Sequence, residues 1–485
     1  VKQTRLSTRF PMDDHVHEEC GVFGIAVPPE SGLSPAQEAY VALFALQHRG
    51  QEACGIAVNN KGVIRCHKDV GLVGEVFPPT VLDSLPGSMA VGHVRYSTTG
   101  RQTRDNAQPV CITHIKGNLA VAHNGNLVNA GQLRREIELA GGIFHSSSDT
   151  EVLAYTIVRE RLQAASIEEA VVRTMERIQG AYSLVIMSAR KLIAVRDPHG
   201  FRPLCIGRSS CGAWIFASET CALDALGAEF VRDVEPGEVC VVEGGQLRSL
   251  HCGIQAVPSA CVFEYIYFAR PDSVIDGASV ELARQEAGKY LSLEHPVGAD
   301  LVIGVPDSGI PAAIGYAKCS GIPYGVGLIK NRYVARTFIQ PGQSSREQSV
   351  RLKLNALREA VNGKRLILVD DSIVRGTTSA RLVRILRDAG ATEVHMRISA
   401  PPFRHPCFFG TDIPDRELLL AHNRTVEEMR EIIGVDSLGF LSLDSVRRIA
   451  VGARCGCCDA CFSGHYPLEV PEVTDKNIFE SEIEP

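Results

Sequence analysis

The stretch from residue 366 to 378, Leu-Ile-Leu-Val-Asp370-Asp371-Ser372-Ile-Val-Arg375-Gly376-Thr377-Thr378, constrains the fold more than any other part of the chain. An apolar run of strand length delivers two adjacent carboxylates. Gly376 and paired threonines then open a segment whose apolar residues Leu382, Val383, Leu386 and Ala389 share a helical face, stopped by Gly390. Residues 301–305 and 393–397 read as further strands, and an Ala-rich helix follows the first of them as far as Gly321. Strand, loop, helix, strand is the grammar of a doubly wound parallel sheet, which binds ligands at the carboxyl ends of its strands. At that edge the N–H groups and hydroxyls of residues 375–378 favour a phosphate. Asp370 and Asp371 can accept hydrogen bonds from ribose hydroxyls and help hold Mg2+, which prefers oxygen ligands. A capped helix behind an acidic turn is the plainer reading, but it leaves the acids, glycine and threonines in register unexplained.

A second loop points the same way. Val305-Pro-Asp307-Ser308-Gly309 follows a strand and precedes a helix, so it too can present backbone donors to an anion. By itself Pro-Asp-Ser-Gly also describes an ordinary turn. Lys330, Arg332, Tyr333, Arg336, Phe338 and Ile339 then crowd cations and apolar groups into one loop, which alone could be a solvated surface.

The first half has another rhythm. From residue 20 to about 250, short β-rich runs (21–27, 89–92, 119–123, 182–187, 192–196 and 239–242) recur between Gly, Asn and Asp turns. Ser166-Ile-Glu-Glu169 is a capping box ahead of a helix carrying Val171, Met175 and Ile178 on one face. Strand runs interrupted by helices predict a layered α+β domain with stacked sheets. Cys20 opens the first run, and Gly21 and Gly24 after it are expected to leave room for a substrate near the backbone. Alone, a strand cysteine is a small hydrophobe.

Composition narrows the function classes. Fifty Lys and Arg against 56 acids give a net charge of −6, which argues against nucleic acid or an anionic membrane as the main partner. No apolar run approaches the roughly 18 residues that span a bilayer, so a soluble, cytoplasmic protein is expected. Residues 1–10 carry Lys2, Arg5 and Arg9 but no apolar core, and Asp13, Asp14, Glu18 and Glu19 follow, unlike a secretory signal. Of 16 cysteines, four crowd into Cys455-Gly-Cys457-Cys458-Asp-Ala-Cys461. A chain this long does not need disulfide staples, so the crowd reads as a metal or cluster site.

Residues 366–378 resemble the ribose-5-phosphate motif of the type I phosphoribosyltransferases. The resemblance implies a pyrophosphate loop at residues 305–309 and a cationic loop after residue 330 that closes over phosphoribosyl pyrophosphate. The implied ligands of that substrate are Asp370, Asp371, Ser372, Arg375, Gly376, Thr377, Thr378, Ser308, Lys330 and Arg332, with Mg2+ at Ser308, Asp370 and Asp371. In the first half, Cys20 is followed by Gln47-His48-Arg49-Gly50-Gln51-Glu52, Gly92-His93-Val94-Arg95-Tyr96-Ser97-Thr98, His123-Asn124-Gly125-Asn126-Leu127 and Ser146-Ser147-Ser148-Asp149-Thr150-Glu151. Together, in this order, they resemble the glutaminase domain of the N-terminal nucleophile amidotransferases. That implies a four-layer αββα sandwich. Cys20 would be the nucleophile with its own α-amine as base, and Asn124 and the Gly125 N–H the oxyanion hole. Arg95 would meet the α-carboxylate of glutamine and Asp149 its α-amine. Because that base exists only after the bond between Glu19 and Cys20 is cut, residues 1–19 are expected to be a propeptide.

Joined in one chain, the halves resemble the glutamine phosphoribosylpyrophosphate amidotransferases from Cys20 to about Pro467. The second half separates this reading from the glucosamine-phosphate synthases and asparagine synthetases. A phosphoribosyltransferase-fold DNA regulator, the rival of another class, would need a basic element that the charge balance does not supply. The resemblance implies a leader (1–19), a glutaminase domain (20–255), a phosphoribosyltransferase domain (256–450) and a cysteine-cluster tail (451–485). It also implies the committing step of purine synthesis and an ammonia channel lined by Phe263, Tyr267, Phe338 and Ile339. Further implications are feedback by purine nucleotides and a homotetramer. The iron–sulfur branch of the family implies a 4Fe-4S cluster on Cys261, Cys407, Cys458 and Cys461, with zinc the chemical alternative and Cys455 and Cys457 close enough to compete.

Overall fold

The β-rich first half folds into two antiparallel sheets laid face to face. This computed structural model describes residues 20–96, 103–331, 354–411, 413 and 416–471. The seven-stranded sheet runs Glu229–Asp233, Cys205–Arg208, Trp214–Ala217, Gly21–Ala26, Met89–Arg95, Ala53–Asn60, Val63–Val70. The six-stranded sheet runs Gln246–His251, Glu238–Glu243, Lys191–Arg196, Gly180–Ser188, Gly117–Leu127, Val110–His114.

Alternation along each strand divides its side chains between two layers. Val22 and Val91 meet Ala120, Ala122 and Val185 between the sheets. Phe23 and Ile25, on the opposite face, pack under helix Pro35–Ala45 through Ala39 and Leu43. Helices Asp149–Gln163 and Ile167–Met175 cover the outer face of the other sheet through Leu153, Ile157 and Val171. The layers are α, β, β, α.

Two sequence expectations change here. The glycines after Cys20 serve packing within the protein, not substrate approach. A Cβ on Gly24 would lie 2.4 Å from Val185 Cγ1 of the facing sheet, and one on Gly21 would lie 2.9 Å from Val94 Cγ2. The capping box is half formed: Ser166 Oγ accepts from Glu169 N, but the Glu169 carboxylate takes the Ala165 N–H at 2.9 Å, one residue earlier than expected.

The second half holds a parallel sheet in the order Leu301–Gly304, Arg365–Asp370, Glu393–Ile398, Ser437–Phe440. Tyr324 adds a parallel bridge to Val302 on the other side of the first strand. The spatial order is therefore second, first, third, fourth, fifth, and it reverses between Leu301–Gly304 and Arg365–Asp370. Carboxyl ends at such a reversal form the binding crevice of a doubly wound sheet. Helix Thr377–Asp388 buries Leu382, Val383 and Leu386, the predicted face. The tail returns to the start of this half. Its strand Gly456–Cys458 pairs in parallel with Ser259–Cys261, setting Cys261 opposite Cys458. Among the described residues no helix is long and apolar enough to cross a membrane.

Candidate active site

Cys20 directly precedes strand Gly21–Ala26 and is 6% exposed, with Sγ 3.3 Å from the Tyr96 carbonyl oxygen. Gly21 pairs with Val94 in the neighbouring strand, so the register carries Cys20 alongside Arg95, which is also buried. His93, the register partner of Val22, donates from Nε2 to the His123 carbonyl at 3.0 Å and so ties the two sheets together one residue before Asn124. Burial pushes the His93 imidazole down to about 3, leaving it neutral, and its Nδ1 has no partner.

Asn124 shares the inward face of Ala120 and Ala122 by the two-residue period. It is 1% exposed, and neither its amide oxygen nor its amide nitrogen has a hydrogen-bond partner. Leaving a buried amide unpaired costs about 1–3 kcal/mol, so this side chain is kept for something other than stability. Gly125 has φ +143°, and a Cβ there would lie 2.0 Å from the Ala181 carbonyl oxygen. No other residue fits at that position.

Asp149 is the first residue of helix Asp149–Gln163 and accepts the Leu127 N–H at 3.1 Å. Burial alone would raise its carboxyl. The neighbouring His123, the Leu127 N–H and the Arg95 charge outweigh burial and hold it below the ordinary carboxylate value. Arg95 and Asp149 thus supply opposite fixed charges to one buried region, which suits the two ends of an amino acid.

A group that the sequence reading left without a role lies behind Cys20. Arg49 Nε donates to the Cys20 carbonyl at 3.0 Å. Its Nη1 reaches Glu219 Oε1 at 2.6 Å and Glu264 Oε2 at 2.9 Å, and its Nη2 reaches Glu264 Oε1 at 2.7 Å. Arg202 faces Glu264 at 3.5 Å and donates to the Phe409 carbonyl at 2.6 Å. Despite its burial, His48 and Arg49 hold Glu219 far below the carboxylate range. This buried chain of charges links the Cys20 backbone to segments of the second half. Asn126, two residues after Asn124, likewise donates to the Phe408 carbonyl at 3.0 Å.

At the crevice of the parallel sheet, two loops meet. The Ser308 hydroxyl, at the start of helix Gly309–Ser320, donates to Asp371 Oδ2. Ser372 Oγ donates to Asp371 Oδ1 at 2.5 Å, and the Asp371 N–H donates to Asp370 Oδ1 at 2.9 Å. Burial and the charge of Asp371 push the Asp370 carboxyl well above its ordinary value. Gly376 caps the following helix with φ +84°, placing Thr377 and Thr378 in the first turn and Arg375 just before it. Lys330 is exposed and pairs with Asp307 at 2.9 Å. Asp307 and Lys330 also line a cavity together with Ile310, Val326 and Asn355. Arg332, Phe338, Ile339, Ser97, Thr98 and residues 1–19 lie outside the described residues.

Cys261, Cys407, Cys458 and Cys461 line one cavity with Phe201, Phe409 and Tyr466, and Cys455 and Cys457 are not in its wall. Among the described residues no three His, Cys, Asp or Glu side chains are arranged to hold a single metal ion. Phe263 also borders this cavity and packs against Tyr267 and Phe403, with ring centroids 6.0 and 5.4 Å away.

Known proteins resemble this chain. A family described as a glutamine amidotransferase domain matches residues 93–225. The amidophosphoribosyltransferase of Archaeoglobus fulgidus is 52% identical over 456 residues, 93% of this chain and 98% of its own length. This chain belongs to the amidophosphoribosyltransferase family. The Bacillus subtilis amidophosphoribosyltransferase is 49% identical over 465 residues, 95% of this chain and 96% of its own. Among solved structures, the Bacillus subtilis glutamine phosphoribosylpyrophosphate amidotransferase, complexed with ADP and GMP, superposes with a TM-score of 0.88 at 48% identity. The match covers 95% of this chain and all of that one. An allosteric regulatory enzyme of purine biosynthesis gives a TM-score of 0.89 at 47% identity, over 96% of this chain and 99% of the other. In this family fold the αββα sandwich is the glutamine amidotransferase domain, and the parallel sheet that follows is the phosphoribosyltransferase domain.

Proposed function

We propose that this chain converts phosphoribosyl pyrophosphate, glutamine and water into 5-phosphoribosylamine, glutamate and pyrophosphate, the committing step of purine nucleotide synthesis. The unpartnered, buried Asn124 amide in the nucleophile half carries the reading, in a chain whose other half brings Ser308 to a pair of acids at a sheet switch point.

Cys20 Sγ attacks the carboxamide carbon of glutamine, whose oxygen takes the charge and is met by Asn124 Nδ2 and the Gly125 N–H. A donor aimed at such an oxyanion is worth about 10²–10³ in kcat. Arg95 holds the α-carboxylate and Asp149 the α-ammonium. The base is the α-amine of Cys20, present once residues 1–19 are removed. It takes the thiol proton and returns a proton to the departing ammonia, and water then cleaves the thioester to glutamate. In the second half the N–H groups of residues 375–378 hold the 5-phosphate, Asp370 and Asp371 bind the ribose hydroxyls, and ammonia displaces pyrophosphate at the anomeric carbon. Lys330 and Arg332 are assigned to the departing pyrophosphate. Ammonia is protonated in neutral water, so a dry passage past Phe263, Tyr267, Phe338 and Ile339 keeps it nucleophilic.

The oxygen donors Ser308, Asp370 and Asp371 fit Mg2+ shared with a diphosphate, since this cation binds through one or two carboxylates plus substrate oxygens. When bound it supplies charge neutralisation at the leaving group. Four thiols around one cavity suit a 4Fe-4S cluster, with one zinc the chemical alternative. Cys261, Cys407, Cys458 and Cys461 would hold it, in a structural role that ties the tail to the second half. We assign the chain to the cytoplasm as a homotetramer inhibited by purine nucleotides, in line with the nucleotide complex of the Bacillus subtilis relative.

Glutamate release by anaerobically purified protein, with and without phosphoribosyl pyrophosphate and Mg2+, tests the reading. Stimulation by both, lost in Cys20→Ala, is expected. Release indifferent to phosphoribosyl pyrophosphate would overturn the coupling of the halves, and silence from a chain already beginning at Cys20 would overturn the nucleophile.

A further inference from the structure

Two edge strands belonging to different sheets carry a cysteine pair for which the amidotransferase chemistry has no use. Strand Val63–Val70 closes one side of the seven-stranded sheet, and Val110–His114 closes one side of the six-stranded sheet. Cys66 lies on the first and Cys111 on the second, and both are exposed. Cys66 pairs across its sheet with Ala57 and Cys111 with Ala120, two alanines packed in the layer between the sheets, so both thiols face that layer at its edge. Neighbouring contacts tie the two edges together. Lys68, two residues on and therefore on the same face as Cys66, donates to the Ala107 carbonyl at 2.5 Å and to the Pro109 carbonyl at 3.4 Å. Arg104 Nε donates to the Lys68 carbonyl at 3.2 Å. Gly55, the register partner of Lys68, admits the crossing segment, for a Cβ there would lie 2.2 Å from the Gln108 carbonyl oxygen.

The pair is unequal. The Cys111 side chain beside it and the charges of Lys68 and Arg104 hold the Cys66 thiol below its ordinary value despite burial, while the Cys66 side chain and burial push the Cys111 thiol well above its own. A thiol shifted toward its thiolate beside one shifted away from it, on two exposed edge strands, is the arrangement that disulfide exchange needs.

We propose that Cys66 and Cys111 form a reversible disulfide that staples the two sheets together at the open edge of the sandwich. The oxidant is a small-molecule disulfide of the glutathione type. The Cys66 thiolate attacks one of its sulfurs, forming a mixed disulfide and expelling the other half as thiolate. Cys111 then gives up its proton and attacks the Cys66 sulfur, expelling the second half. Both protein sulfurs are oxidised, the small disulfide is reduced to two thiols, and those thiols carry the two protons.

The staple is close to the glutamine site along the chain. Gln108 Oε1 accepts the His123 N–H at 2.7 Å, one residue before Asn124. Asn106 Oδ1 accepts the Ser147 N–H at 2.9 Å, two residues before Asp149. Closing the bond fixes residues 106–111 and so restrains both flanks of the pocket. This effect on glutamine turnover, unlike the bond itself, rests on the proposed reaction.

The test equilibrates the full chain anaerobically across mixtures of reduced and oxidised glutathione, followed by alkylation and peptide mass spectrometry. A peptide joining Cys66 to Cys111 is expected, reversed by dithiothreitol. In Cys111→Ser the exchange stops at a glutathione adduct on Cys66. Alkylation of both residues across the whole series, or pairing of Cys66 with another cysteine, overturns the proposal. The activity arm compares the oxidised and reduced chain. An altered KM for glutamine with ammonia-dependent synthesis unchanged is expected, and the Cys66→Ser, Cys111→Ser double variant loses the difference. A joined peptide with equal kinetics refutes the restraint on the pocket while the bond stands, and an equal loss of both activities that persists in the double variant refutes it too.

Discussion

Replacing Arg49 by Met keeps most of the side-chain volume and removes a buried guanidinium that holds the Cys20 carbonyl and two carboxylates. The two acids are left in unequal positions. Glu219 keeps His48 at 2.8 Å, the Ser273 hydroxyl at 2.7 Å and the Arg270 N–H at 2.9 Å. Glu264 keeps Arg202 at 3.5 Å as its remaining ion pair among the described residues. Removing one partner from a buried pair costs about 3–5 kcal/mol, because the other charge stays buried without compensation. At about 2–4 °C per kcal/mol for a domain of this size, Tm should fall by about 6–20 °C. Glutamine-dependent synthesis should fall further than ammonia-dependent synthesis, because Cys20 loses the donor on its carbonyl. The decisive variant is Arg49→Met combined with Glu264→Gln. Neutralising Glu264 removes the stranded charge, so the pair should cost less than the sum of the two single changes by about 0.5–3 kcal/mol, the range of contacting residues. Thermal unfolding and the two activities are measured on all four proteins. A single variant within about 0.5 kcal/mol of wild type, the range of an ordinary surface change, or strictly additive costs would remove Arg49 from the charge network assigned to it.

Four further outcomes follow from the same geometry. The native chain resists protonating His93 until about pH 3, whereas the unfolded chain binds that proton near 6.5, so stability is lost as pH falls through this window. The loss amounts to about 2 kcal/mol by pH 5; urea titrations at pH 7 and 5 should show it in wild type and not in His93→Gln, and an equal pH dependence would remove His93 from the account. Gly125→Ala should lower glutaminase kcat by about 10²–10³ while sparing ammonia-dependent synthesis; near-normal glutaminase would mean that the +143° backbone is not part of the oxyanion site. Asp371→Asn weakens the acceptor shared by Ser308 and Ser372, so synthesis from glutamine and from ammonia should drop together while basal glutaminase persists; a selective loss with glutamine alone would contradict its place at the ribose. Cys461→Ser should lose iron, sulfide and the broad visible absorbance together, as removal of one of four thiolates requires; unchanged iron would exclude it as a ligand, and zinc in the wild type would favour the single-ion alternative.

The parts of this architecture that could be read from the chain are those that connectivity alone places. Residues 366–378 form strand, turn and helix without interruption, so the acids, Gly376 and the threonines reach the sheet edge whatever packs around them. What escaped reading depends on partners distant in sequence. Gly24 looked like room for a substrate because its true neighbour, Val185, belongs to the facing sheet. Arg49 lies 170 residues from Glu219 and 215 from Glu264, and no spacing rule joins them. Asn124 could be named from its motif, but its missing hydrogen-bond partners emerge only once both sheets have closed over it. The cysteine tail shows where the boundary falls. The crowd at residues 455–461 announces a site but not its members. Parallel pairing sets Cys458 opposite Cys261, and since adjacent strand residues face opposite ways, Cys457 must turn aside from the cavity that Cys458 lines. The period of the strand makes the selection, but only the partner strand, some two hundred residues earlier, says which face is the inside.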